Sequence, residues 1–221
     1  MSRPGRLPLE TLRPFLLDVP HPRHIRPDLL PTAIEPIDWR GLFGRDGPVE
    51  IEIGFGKGMF LCDAARAFPS TNYLGIEIER KYALSTAGRL ARHSLTNVKV
   101  ACTEARWFLQ NYVRPASIAA VHVYFPDPWW KKRHKKRKLF TAGFAHEVRR
   151  VLSDDGVFHF ATDVKDYFDE SLTLVRDLGI FGVSTAANFG LMTNFERKYM
   201  AEGRPIYRTR FEPEAKQSRA S

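Results

Sequence analysis

Three groups of residues in this 221-residue chain could do chemistry together. The first is Glu52-Ile53-Gly54-Phe55-Gly56-Lys57-Gly58, where an apolar run ends in three alternating glycines with an acid two places before the first. Glycines at a strand end let the backbone approach a ligand with no β-carbon in the way. Glu77 closes the next apolar run, where a carboxylate can accept hydrogen bonds from a ribose diol. The spacing is not the G-x-G-x-x-G of a dinucleotide site, because Met59 stands where its third glycine would be. Nor is it the G-x-x-x-x-G-K-[ST] of a phosphate loop. Glu52 would repel phosphates and could attract an ammonium or sulfonium group. A tight strand-to-helix turn would use the same glycines, but the position after the first strand and the two acids favour a ligand.

The second group is Tyr124-Phe125-Pro126-Asp127-Pro128-Trp129-Trp130. Two prolines stiffen the turn around Asp127 and fix its carboxylate. The tryptophans offer planes on which an unpaired base could stack, although one of them could equally be core. The third group follows at once: Lys131 to Lys138 reads KKRHKKRK, seven Lys or Arg in eight positions. Like charges three and four apart repel on a helix, so this run reads as a solvated loop. Alone it could be a solubility patch. Beside a rigid acid and stacking planes it reads as a landing strip for a polyanion, nucleic acid before membrane.

The chain has 34 Lys+Arg against 25 Asp+Glu, a net charge of +9, and outside the octet the two signs nearly balance. The excess is therefore local. With 43% hydrophobic residues the chain can bury a core, which excludes disorder throughout. No run approaches the length of a membrane span, and MSRPGRLPLE lacks the apolar stretch of a secretory signal, so the expected location is cytoplasmic. Two cysteines, Cys62 and Cys102, exclude a disulfide framework, and the seven histidines show no zinc-ligand spacing, so no metal is expected.

These groups need a scaffold, and the pattern from Val49 onward supplies one. Strands at 49–53, 73–76, 98–101, 118–125 and 157–161 alternate with helices at 59–68, 80–93, 105–112, 139–151 and 165–178. That alternation predicts βαβ units and an α/β fold with a doubly wound, mostly parallel sheet. From Val183 through Ile206–Phe211 two strands with a long loop between them are expected to pair antiparallel at one edge. Residues 1–48 hold nine of the fifteen prolines and read as an extended arm with a short packed segment around Ile37–Phe43. The expected division is thus an arm over 1–48, a domain over 49–211 and a polar tail over 212–221.

The E-x-G-x-G-x-G pattern with its later acid resembles the S-adenosylmethionine (SAM) loop of class I methyltransferases. More specifically, F-P-D-P-W-x-K-x-R-H-x-K-R (125–137), H-F-A-T-D (159–163), T-N-F-E (193–196) and G-R-P-I-Y-R (203–208) resemble the bacterial tRNA (guanine-N7-)-methyltransferases. The resemblance implies a seven-stranded, Rossmann-like class I fold and methylation of guanine 46 in the tRNA variable loop, with S-adenosyl-L-methionine as donor. It puts donor contacts on Glu52, Glu77, Glu104 and Asp127 around Gly54, Gly56 and Gly58. It puts tRNA or guanine contacts on Lys131, Arg133, Asp163, Thr193, Asn194, Phe195 and Glu196, with Asp127 as the active-site acid. Position 104 departs from the family, which commonly has Asp there. A monomer or a homodimer is compatible with the sequence. The competing readings are a SAM-fold RNA-binding protein without activity, a methyltransferase acting on a different RNA base, and a nicotinamide enzyme. The last would leave the octet unexplained.

Overall fold

The computed structural model describes residues 7–22, 34–128, 138–184 and 194–214. An eight-stranded sheet is built from β1 (Leu16–Leu17), β2 (Val49–Ile53), β3 (Asn72–Glu77), β4 (Val98–Cys102), β5 (Ile118–Tyr124), β6 (Leu152–Thr162), β7 (Phe181–Ser184) and β8 (Tyr207–Pro213). Their order across the sheet is β1-β4-β3-β2-β5-β6-β8-β7. Only β8 runs against its neighbours, pairing antiparallel with β6 and β7. The chain winds outward from β2 through β3 to β4, then returns to place β5 on the other side of β2. Strand order reverses at that junction, and in open α/β sheets the crevice beyond the strand ends there is where ligands bind.

The helices divide between the two faces. The core on one face contains α3 (Met59–Ala67) and α4 (Arg80–Arg92) through Phe60, Leu61, Ala83, Ala87 and Leu90. The other contains α5 (Ala105–Tyr112), α6 (Ala142–Val151) and α7 (Lys165–Leu178) through Phe108, Phe144, Val148, Tyr167 and Val175. Both faces being covered explains why β3 is buried at every position. No described helix is long and apolar enough to cross a membrane.

The expected elements are present, with boundary shifts that have local causes. α6 starts at Ala142 because the Thr141 side chain accepts from the Phe144 N–H and caps it there. The structure adds two features to the expectation. An eighth helix, Asn194–Ala201 (α8 in this order), occupies the expected loop between β7 and β8. The segment before Val49 is more than an extended arm. It forms a one-turn helix, α1 (Leu9–Leu12), whose Leu12 enters the core, then a 3₁₀ turn and β1, which extends the seven expected strands by a parallel pair with Val100 and Ala101. Lys99 Nζ donates to the Pro14 carbonyl at 2.6 Å and Thr103 Oγ1 to that of Pro20 at 3.1 Å, which ties this segment along β4. Further on, the short helix α2 (Trp39–Phe43) is capped by Asp38 at its start and by left-handed Gly44 at its end.

Candidate active site

The glycine loop leaves β2 and enters α3 with Gly54, Gly56 and Gly58 all at positive φ. Gly54 N–H donates to the Ile76 carbonyl and Gly58 N–H to that of Phe55, both at 2.8 Å. The three glycines do different jobs. A β-carbon on Gly58 would overlap the buried side chain of Thr86, whereas one on Gly54 or Gly56 would meet nothing within 4 Å. Gly58 therefore serves the packing of α3 on α4, and the other two face the open side of the loop. Accordingly Gly58→Ala should cost about 2–4 kcal/mol in urea unfolding, from left-handed strain plus overpacking. Gly54→Ala, with no overlap to add, should cost only the left-handed strain, about 1–2 kcal/mol, while weakening the binding of the ligand that the loop cradles.

Two carboxylates border the cradle. Glu77 accepts from Gly56 N–H at 2.9 Å and from Glu79 N–H at 3.0 Å, which locks the loop to the end of β3. Glu52 is 5% exposed and its Oε2 has no hydrogen-bond partner. Burial first, and the Glu77 charge second, push its carboxyl up to about 8. The Leu61 backbone N–H acts on this carboxyl and opposes the rise, but Oε2 is left without a donor, and beside a backbone cradle open to a ligand it is a place prepared for a cationic group. The amino-acid end of a sulfonium nucleoside fits it. Glu104 follows β4, and its oxygens accept from the Arg106 and Trp107 N–H groups at 3.0 and 2.7 Å, capping α5.

Beyond β5, the backbone at Phe125 takes φ = +52°, a conformation that costs a non-glycine residue about 1–3 kcal/mol. Its N–H donates to the Ala161 carbonyl at 2.7 Å and its ring meets Tyr199 edge-on at 5.3 Å, contacts that hold the bend. The bend turns Pro126-Asp127-Pro128 out of the sheet, and Asp127 is exposed. Lys138, the octet residue that the structure describes, lies 4.4 Å over the Tyr167 ring and pairs with Glu170. Lys131, Arg133 and Thr193 lie outside the described residues, as do the side chains of Asn194 and Phe195.

The remaining two acids meet arginines that the sequence reading left without a role. Asp163, at the end of β6, pairs with Arg204, whose guanidinium also lies 3.9 Å over the Tyr199 ring. Glu196, on α8, is 2% exposed and has Arg208 at 2.9 Å from its Oε1. A third pair, Arg197 to Asp63 at 2.8 Å, joins α8 to α3. Side chains from α8 thus reach the bend after β5 and the helix that follows the glycine loop. In β8, Tyr207–Pro213, Arg208 and Arg210 fall on one face and Thr209 and Phe211 on the other, an alternation that could have flagged Arg208.

His122 and His159 pack, as their positions inside strands suggested. Their rings stack 4.7 Å apart at 8°, and His122 reaches the Glu50 carboxylate at 2.8 Å and the Tyr124 hydroxyl at 2.9 Å. Burial, then His122 and Arg210, push His159 down to about 2, so it stays neutral across working pH. Cys62 is buried and pushed up to about 11 by that burial, which leaves it inert as a nucleophile. Among the described residues no group of three or more His, Cys, Asp or Glu could hold a metal ion.

This sheet order, with a glycine loop and two acids at the reversal of strand order, defines a class I, Rossmann-like methyltransferase of the SAM-dependent kind. The fold is similar to that of a 30S ribosomal A1408 methyltransferase from an uncultured bacterium, at TM-score 0.56 and 12% identity over 82% of this chain and 97% of that one. It is similar also to a precorrin-6y C5,15-methyltransferase from Geobacter metallireducens, at TM-score 0.55 and 14% identity over 93% and 85%. A methyltransferase family model matches residues 46–209. In sequence the chain is 38% identical to a tRNA (guanine-N(7)-)-methyltransferase of Rhodopirellula baltica, over 82% of this chain and 71% of that protein. It is 34% identical to one of Myxococcus xanthus, over 84% and 97%. The chain belongs to the tRNA (guanine-N7-)-methyltransferase family and is an enzyme of that kind.

Proposed function

We propose that the protein transfers a methyl group from S-adenosyl-L-methionine to N7 of guanine 46 in the variable loop of tRNA. The observation that carries the donor half is the orphaned, buried Oε2 of Glu52 beside the open side of Gly54 and Gly56. Glu52 would hold the donor's ammonium group and Glu77 its ribose. Bound there, the donor supplies an electrophilic methyl on a sulfonium. The acceptor half is supported by family membership, by the proline-braced Asp127 and by the basic octet beside it.

Guanine N7 has a lone pair in the ring plane and carries no proton, so its methylation requires no general base. The protein's task is then placement and charge. The base must be held so that N7 lies in line with the bond that breaks, a matter of orientation. Positive charge arrives on the purine, and a fixed carboxylate near the ring is worth most when it is already positioned. Asp127 is the candidate for that group. It is exposed, so it can reach a base, and its backbone is fixed by two prolines and the Phe125 bend.

The experiment is to incubate the purified protein with labelled donor and a tRNA transcript, then treat the RNA with borohydride and aniline. Strand scission at guanine 46 is the expected result. Label without scission would mean that another position is modified, and no label under donor-saturating conditions would remove the activity altogether.

A further inference from the structure

The acids of the acceptor side do not stand alone: one of them is held from below. Arg208 lies in register with Ala161 of β6, and Ala161 lies in register with Tyr124 of β5. Registered residues share a sheet face, so Tyr124, Ala161 and Arg208 form a row across three strands. The small Ala161 leaves room over the middle strand for longer neighbours. On this face Arg208 meets Glu196 at 2.9 Å, and that carboxylate is all but excluded from water. The same neighbourhood contains the cofactor acid, since the charges of Glu52, Glu196 and Arg208 all act on the buried Tyr124 hydroxyl. A buried carboxylate that loses its cation is left uncompensated, so the arginine decides whether and how Glu196 is seated. The contact is a single ion pair, Nη2 to Oε1, and a shorter lysine would keep the charge but not the same reach.

We propose that Arg208 is a positioning residue for the methyl acceptor. By holding Glu196 it seats α8 against the C-terminal ends of β5 and β6, so that the purine is read at its N1–H and N2–H₂ edge when N7 is presented to the donor. This rests on the reading of guanine N7 as the acceptor. Arg208 itself touches neither base nor donor and acts through Glu196. Arg204 differs: it is 44% exposed and shares its charge between Asp163, Glu202 and the Tyr199 ring, so it is less suited to fix one carboxylate.

The test compares tRNA carrying guanosine or inosine at position 46, because inosine lacks only the 2-amino group. The wild-type enzyme should prefer guanosine by about ten-fold or more in kcat/KM, the value of a lost hydrogen bond to a charged group. In Arg208→Gln the preference should fall to within about two-fold of unity, with kcat reduced, while donor affinity in calorimetry stays within about three-fold. Arg208→Lys should recover turnover in part and discrimination less. Should the single variant not fold, Arg208→Gln combined with Glu196→Gln removes both charges and leaves no uncompensated ion. That protein should show the same loss of discrimination. A variant that is slower yet still prefers guanosine as the wild type does would overturn the proposal, since general loosening slows both substrates alike. A wild type that modifies neither tRNA would instead bring down the N7 reading on which the proposal stands.

Discussion

Asp127→Ala should lower kcat for methyl transfer to tRNA by about 10²–10³-fold, the usual effect of removing one preorganised group from a reacting centre. Its unfolding midpoint should be nearly unchanged. The two halves of that expectation have separate causes. Asp127 is exposed and its charge, which acts on the buried Tyr167 hydroxyl, opposes that group's ionisation only, so truncation should change stability by no more than about 0.5 kcal/mol. The backbone that holds it does not depend on its side chain. Pro126 and Pro128 restrict the turn, and the left-handed Phe125 is held by its Ala161 hydrogen bond and by Tyr199. Strain of this kind persists where surrounding structure over-determines it. Asp127→Asn separates charge from shape, because the amide fills the same volume and still offers one acceptor oxygen. It should fall between wild type and Ala if developing charge on the purine matters, and match wild type if only hydrogen bonding does. Single-turnover transfer at saturating donor is the measurement. A kcat within about three-fold of wild type for the alanine variant would take Asp127 out of the mechanism.

The scaffold was legible where pattern is local. α5 and α7 have the expected bounds because both keep apolar residues at helical spacing between clear ends, and β2 because its short apolar run stops at Gly54; β5 ends at Tyr124, one residue early, because Phe125 turns to positive φ. β6 starts at Leu152, five residues earlier than expected, since Ser153-Asp154-Asp155-Gly156 is polar and no alternation marks it as strand. β1 could not be read at all: two residues carry no period, and Leu16–Leu17 is a strand only because β4 offers an edge. α8 hid between breakers in a stretch with few apolar residues. The site divides the same way. Glu52, Glu77 and Asp127 are visible because they end strands, and chemistry at the C-terminal edge of such a sheet comes from strand ends. The arginines that meet Asp163 and Glu196 are 41 and 12 residues away in the chain. No local signal joins them, and which acid meets which base is decided only when β8 packs beside β6. Glu104, to which only the family resemblance gave a role, also caps α5, a local function that its place just before that helix supplies.

Glu52→Gln should make the ligand-free protein more stable and unable to hold its donor. The carboxyl titrates near 4.5 when the chain is unfolded and near 8 in the folded pocket, so between those values the folded state binds the extra proton. Stability therefore falls as pH rises: the contribution of the neutral carboxyl is whole below pH 4.5 and gone once pH passes 8. Glutamine stays neutral throughout. The two proteins should unfold alike near pH 4.5 and diverge above it, the variant gaining about 3–5 kcal/mol by pH 8. What the wild type receives in return is an ionisable acceptor that a cation can claim. A donor whose ammonium pairs with Glu52 must take it as the carboxylate, so binding expels a proton at any pH below 8. Affinity should then rise with pH by up to about ten-fold per unit, and calorimetry in buffers of different ionisation enthalpy should register the released proton. In the variant the affinity should drop by about 10²–10³-fold, the size of a broken buried pair, and lose its pH dependence. If Glu52→Gln binds the donor within about three-fold of wild type, the cation lies elsewhere and the buried carboxyl needs another explanation. If it binds poorly but gains no stability at pH 8, the acid is ionised in the empty pocket after all, held by a partner that the folded chain itself provides.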